Sequence, residues 1–365
     1  MQRAATWTLV TFGMAVLLLG ATLAMPVKIW RTGRLPVPPF QLLEQPAPDP
    51  TPRRIWIDTD AACGAGPQVD VDDCLAIWAL ARASTVEIVG VSTVFGNRPL
   101  DETDRTTREL VEMLGRAGHS LPVVRRGADR PATAEAARSA AIDGLVEVLD
   151  VAPATIVALG PLTNIAAALE RHPALASRVT EIVAVMGRRP GHLFHPSEGN
   201  GRGAFLGHGP VFRDFNFCAD PTAAARVLQT NVKVTLIPYD AAVDEEVTTA
   251  HLARLSEEDV AGAWIAEHSR DWLTYWTEAV GRRGFSPFDL EASRFVIAPN
   301  EFRCAEAAVR LARDPLFHWP FNRQPALLAE PPSEATDSAQ RLVRYCPERS
   351  RGSLERALAA TGGMS

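Results

Sequence analysis

The chain has no basic surplus, no internal repeat, and no histidine within its most acidic stretch. Its formal charge is -6. Without a basic face it has no footprint for a phosphate backbone, so no nucleic-acid partner is expected, and a small-molecule ligand fits better. The five cysteines (Cys63, Cys74, Cys218, Cys304, Cys346) lack the even count and the spacing of a disulfide framework or a zinc site. They read as small apolar side chains in or near a core. Charge is also missing from Ala4 to Val27, a run long enough to span roughly 30 Å of hydrocarbon as a helix. Residues 1–30 therefore read as a membrane anchor or signal sequence, giving a protein held by one N-terminal helix, or an exported one if the segment is cleaved. Arg3 before the run and Lys28, Arg31 and Arg34 after it leave the side of the membrane undetermined.

Residues 31–52 carry seven prolines between Pro36 and Pro52 and read as a semi-rigid linker. From 53 to 330, strand-like runs such as RRIWID, VEIVGVST, ATIVALG, EIVAVMG and VKVTLIP alternate with helical patterns. That alternation predicts an α/β fold, an open, mainly parallel sheet with helices on both faces. Residues 331–365, rich in Pro, Ser and Arg, read as a C-terminal tail outside the core. Ligands of such folds bind beyond the carboxyl ends of the strands. Polar residues collect there: Asp58 and Asp60, Asn97, then Thr163 and Asn164.

The densest collection is IWIDTDAACGAGPQVDVDDCLAIWAL, with Asp58, Asp60, Asp70, Asp72 and Asp73. Carboxylates so close raise one another's pKa and destabilise the fold unless a cation sits among them. Oxygen-only donors suit a hard divalent ion, calcium or magnesium, and disfavour zinc. A plainer reading also stands, in which Asp72 simply favours the N-terminus of the helix it opens.

DTD, VDDCLAIWAL, GVSTVFGN, IVALGPLTNIAAAL, IVAVMG, RDFNFCADPTAAARVL and SPFDLEA together resemble, in this order, the signposts of the inosine-uridine-preferring nucleoside hydrolases. The resemblance covers about residues 54 to 300 and implies the same α/β sheet, Ca2+ as cofactor, and hydrolysis of the N-glycosidic bond of a ribonucleoside. It implies Asp60 as metal ligand and as the group that takes a proton from the attacking water. Asp73, the Leu159 carbonyl and Asp289 would complete the ligand set, with Asp58 in support. Asp72, Asn97 and Asn216 would hold the ribose. A homo-oligomer is left open.

Departures from that pattern bear on function. Eleven residues, 61–71, separate Asp60 from Asp72 where the family signature is compact, and Asp70 is an alternative to Asp72. Phe288 stands where many members carry the histidine that protonates the leaving nucleobase. His192, His195 and His208 lie in a long loop that also offers Asn200 for the ribose, with His208 as its alternative. Asp214 replaces a longer glutamate at the 5′ side. The stretch 131–153 is short where relatives have a flap, and His268, Trp272, Tyr275 and Trp276 fall at helical spacing, as a stacking wall or as core. Among plainer roles, Asn97 reads as a turn residue, and Asn164, Asp220 and Asp289 as helix caps. Two other functions stay open: a ribose- or nucleoside-binding module that keeps the metal but not turnover, and an aspartyl phosphatase with Asp58 as nucleophile.

Overall fold

The computed structural model describes residues 39–131, 138–190, 214–242, 244–315, 323–332, 341–350 and 352–358. The chain runs through β1 (Leu43–Glu44), β2 (Arg53–Thr59), β3 (Val86–Thr93), β4 (Val124–Arg126), β5 (Ala154–Ala158), β6 (Val179–Ala184) and β7 (Val234–Leu236). It continues through β8 (Val247–Thr248), β9 (Gly284–Phe285), β10 (Phe302–Pro315), β11 (Arg323–Glu330) and β12 (Arg341–Arg349). The main sheet has the order β1-β10-β12-β7-β6-β5-β2-β3-β4, with β11 on the other part of β10, while β8 and β9 pair separately. From β12 to β4 every pairing is parallel. β1, β11 and β12 meet β10 antiparallel. The expected open, mainly parallel sheet is observed.

Period-two alternation explains the layers. Ile55 and Ile57 of β2 face one core with Leu75, Ile77 and Trp78, whereas Trp56 faces the other with Leu145, Leu149 and Ile165. The chain leaves β2 toward β3 and β4 on one side and returns to β5, β6 and β7 on the other. The crevice outside β2 and β5 is thus the switch point where such a sheet opens a binding site.

Four expectations need correction. The tail is not outside the core: β12 lies between β10 and β7, Tyr345 and Cys346 are fully buried, and the Tyr345 hydroxyl donates to Asp240 at 3.0 Å. The linker is partly docked, because β1 pairs with Arg303 and Cys304, and the Phe40 ring stacks on Tyr345 at 5.1 Å. Cysteine spacing misleads because sheet topology, not sequence distance, brings the partners together: Cys63 pairs with Cys74, and Cys304 with Cys346 across β10 and β12. The membrane-anchored reading is not upheld. No helix among the described residues is long and apolar enough to cross a membrane, and residues 1–30, on which that reading fell, lie outside the described residues.

Candidate active site

Register places the first carboxylate. Asp58, next to last in β2, lies beside Ser92 of β3 and Ala158 of β5, and both its side chain and its carbonyl are engaged. Its Oδ1 accepts from the Ser92 hydroxyl and from Asn164 Nδ2 at 2.8 Å, and its carbonyl accepts from Leu159 N at 2.8 Å. Burial pushes this carboxyl up to about 6. Fully buried, with Oδ1 held by Ser92 and Asn164 and Oδ2 also shut away from solvent, Asp58 is closed to a phosphatase nucleophile's role. Asn164 is not a cap. It reaches Thr93 O at 3.0 Å and accepts from Ala128 N at 2.9 Å, tying three strand ends together.

Two helices then deliver acids head-on. The helix Asp72–Arg82 is apolar nearly all round, which suits its burial, and it packs against the helix Phe288–Ile297. Both start at the crevice. Carboxyl oxygens of Asp72, Asp73 and Asp289 lie within 4.8 Å of one another, and the Asp289 amide donates to Asp72 Oδ2 at 2.7 Å. The positive ends of two helix dipoles offset part of this crowding. They do not offset all of it: burial and then the Asp72 charge push Asp73 up to about 7, and burial followed by neighbouring aspartates holds Asp289 well above the ordinary range. Asp60 is likewise raised well above it, by burial first and by Asp73 next. Its Oδ2 accepts from Asn97 N at 2.7 Å, and a Cβ at Gly96 would collide with the same oxygen, so a glycine lets the loop close on Asp60.

The eleven-residue loop 61–71 does not part the acids. Cys63 at its start is bonded to Cys74 in the helix, and at its end Asn97 brackets Asp70, accepting from its amide at 3.3 Å and donating to its carbonyl at 2.9 Å. Asp70 Oδ1 in turn accepts from the amides of Val71 at 2.7 Å and Asp72 at 3.3 Å. Folded out and pinned back, the loop adds Gln68 and Asp70 to the cavity wall. The double variant Cys63→Ala/Cys74→Ala is expected to lose about 2–3 kcal/mol of stability, read from the denaturation midpoint, with faster amide exchange confined to 64–70. Unchanged exchange there would show that Asn97 alone holds the loop.

The cavity, about 340 Å³, is lined by both acidic and aromatic side chains. Asp60, Asp72, Asp73, Asp289, Asn97 and Asn216 line it, so every described residue expected to hold metal or ribose through its side chain is gathered in one place. The Leu159 carbonyl faces Asn216, whose Nδ2 donates to it at 2.6 Å and to Val185 O at 3.1 Å. Asn97 spends its side chain on Asp70 rather than leaving it open for a sugar. Asp214 lines the cavity, but it accepts from Gly187 N at 2.7 Å and Phe217 N at 3.2 Å, capping the short helix Phe215–Ala219. Asp220 caps as expected, accepting from Ala223 N at 2.9 Å. Asn200, His192, His195 and His208 lie outside the described residues.

The aromatic lining is Trp272, Tyr275, Phe288 and Tyr239. Trp272 and Tyr275 stack at 5.3 Å, and Tyr239 tilts over Phe288 at 5.7 Å. Of the expected helical stripe, only Trp272 and Tyr275 reach the cavity. Trp276 is fully buried, and His268 stacks on Trp264 at 4.0 Å against Gly64. Tyr239, Gln68 and the bridging role of Asn164 are the additions sequence reasoning missed; for Asn164 the motif GPLTN was the available signal.

The donor set fits a hard divalent cation. It comprises the three convergent buried carboxylates of Asp72, Asp73 and Asp289 and, lining the same cavity, that of Asp60, with no Lys, Arg or His among the described residues lining the cavity. A family model described as inosine-uridine preferring nucleoside hydrolase matches residues 55–316. A probable uridine nucleosidase from Oryza sativa subsp. japonica is 28% identical over 291 residues, 71% of this chain and 81% of that protein. A pyrimidine-specific ribonucleoside hydrolase from Escherichia coli O1:K1 / APEC is 25% identical over 66% of this chain and 79% of its own. In fold the chain is similar to a plant nucleoside hydrolase, with TM-score 0.66, 21% identity, and coverage of 84% of this chain and 98% of that one. A purine-preferring ribonucleoside hydrolase from Gardnerella vaginalis gives TM-score 0.60 at 18% identity, covering 84% and 96%.

Proposed function

The chain belongs to the inosine-uridine preferring nucleoside hydrolase family and is a hydrolase; from that premise we propose that it releases the nucleobase of a ribonucleoside, using calcium and Asp60 as proton acceptor. One observation carries this reading: the convergent carboxyls of Asp72, Asp73 and Asp289 share one cavity with Asp60 and with a set of aromatic rings. Asp60, Asp73, Asp289 and the Leu159 carbonyl would hold the cation. When bound, it offsets the clustered negative charge and lowers the pKa of water in its shell.

The chain's own groups do the rest. With Oδ2 fixed by the Asn97 amide, Asp60 takes the proton of the attacking water. Asp72 and Asn216 bind the ribose hydroxyls, and Asn97 fixes the loop and Asp60 that face them. The surrounding carboxylates stabilise positive charge as it grows on the sugar ring, as in other glycoside cleavages. Trp272, Tyr275 and Phe288 stack on the nucleobase and exclude water from it.

The test is direct. Purified protein with calcium is expected to release free base from at least one member of a panel of ribonucleosides, and a chelator is expected to abolish release, reversibly on calcium addition. Base release that persists in full under chelation would sink the metal role. Binding without any release would sink turnover.

A further inference from the structure

The helix that carries Asp289 is held on two faces. On the crevice side the Asp289 amide donates to Asp72 Oδ2 at 2.7 Å, and its carboxyl stands among those of Asp72 and Asp73. Glu291, two positions on and so about 200° round the helix, lies on the opposite side and is fully buried. Arg294, a turn later on that side, lays Nη1 on both Glu291 oxygens at 2.9 and 3.0 Å and Nη2 on Glu301 at 3.0 Å. Arg349, the last residue of β12, brings Nε to 3.2 Å from Glu291 Oε2 and donates through Nη1 to Glu245. Glu245 follows the short turn Tyr239–Ala241, whose Tyr239 tilts over Phe288 in the cavity wall. The Arg349 side chain is only 7% exposed, and it ties the end of β12 to two separate pieces of the cavity wall. None of Glu245, Glu291 and Arg349 lines the cavity itself.

Without a cation the crowded carboxyls repel one another, and that force pushes the helix Phe288–Ile297 away from the helix Asp72–Arg82. A ligand cage that springs open when empty must be closed again on binding, and the closing is subtracted from the affinity. A restraint on the far face of the helix prevents the opening. A guanidinium bridging two buried carboxylates is suited to that task, because its rigid fork meets both at once.

We propose that Arg349 is a positioning residue for the cation site: by clamping Glu291 and Glu245 it keeps Asp289 beside Asp72 and Asp73 while the site is empty, and so sets the affinity for calcium. The proposal rests on the calcium reading above and extends it to residues outside the cavity.

Full-length protein stripped with chelator is titrated with calcium by calorimetry, and its thermal midpoint is measured in parallel. Arg349→Gln is expected to raise the calcium Kd at least about tenfold, the usual effect of removing a partner that holds a metal ligand in place. Arg349→Lys, which meets Glu291 or Glu245 but cannot fork across both, is expected to fall between. Loss of the arginine also strands a buried carboxylate and lowers the midpoint. The double variant Arg349→Gln/Glu291→Gln removes that stranded charge, so it is expected to recover most of the midpoint and none of the affinity. Should the single variant fail to fold, the double variant and Arg349→Lys make the same comparison. Affinity that returns together with the midpoint would show that Arg349 acts through stability alone, and the proposal would fall. A calcium Kd within about threefold of the unaltered protein in the double variant overturns it as well. If the unaltered protein takes up no calcium, the calcium reading and this one fall together; calcium uptake indifferent to Arg349 leaves that reading standing and sinks this one alone.

Discussion

Asp60→Asn is expected to lower kcat for base release by about 10³-fold, within the usual reach of general base catalysis, while raising the thermal midpoint of the metal-free protein. The two halves of that result have one cause. Asparagine keeps the shape and can still accept from the Asn97 amide, but it cannot take a proton from water. It also removes one of the crowded carboxylates, and Asp60 feels both burial and the Asp73 charge. A residue kept only for structure would destabilise when changed. A kcat within tenfold of the unaltered protein, measured beside the melting curve, would remove Asp60 from the chemistry.

Without calcium, the protein is expected to grow less stable as pH rises from about 4 to about 7. Burial holds the folded-state Asp58 at about 6 and Asp73 at about 7, above their ordinary value of about 3.9 in an unfolded chain. Between those limits the folded chain carries more protons than the unfolded one, so each step up in pH favours unfolding. Both groups shift in the same direction, so their costs add as the pH rises through their folded values. Calcium binds the ionised forms, so saturation is expected to flatten or reverse the trend and to release protons on titration. Melting curves between pH 4.5 and 8, in chelator and in calcium, check both signs. A chelated midpoint that climbs from pH 5 to 8 would mean that the carboxylates are not crowded in solution.

The parallel half of the sheet was legible because buried parallel strands are written as short apolar runs between helices, and VEIVGVST or ATIVALG has no other stable use. The acid cluster was legible for a related reason, since carboxylates at a strand end and a helix start must face the same crevice. The antiparallel side was not. RLVRYCPER shows an alternating pattern that Arg and Pro blur, and its place beside β7 depends on a partner more than a hundred residues away. The Cys63–Cys74 bond was hidden in the same way, because only the fold shows that the insertion doubles back onto its own helix. Asn164 was misjudged through a local rule. Helix-start asparagines usually cap, but here the strand ends around it offered better-buried partners, and the helix begins instead at Leu162 without a side-chain cap.

The placement of β12 has a kinetic consequence. A strand that pairs β10 on one edge and β7 on the other is an interior strand of the sheet, yet it is made after nearly everything it supports. Until residues 341–349 leave the ribosome, β7 and β10 each present a row of unpaired amides and carbonyls, an open slot that another chain's strand can enter. A chain cut before Arg341 is therefore expected to expose that slot and to self-associate, whereas the full chain closes it with β12.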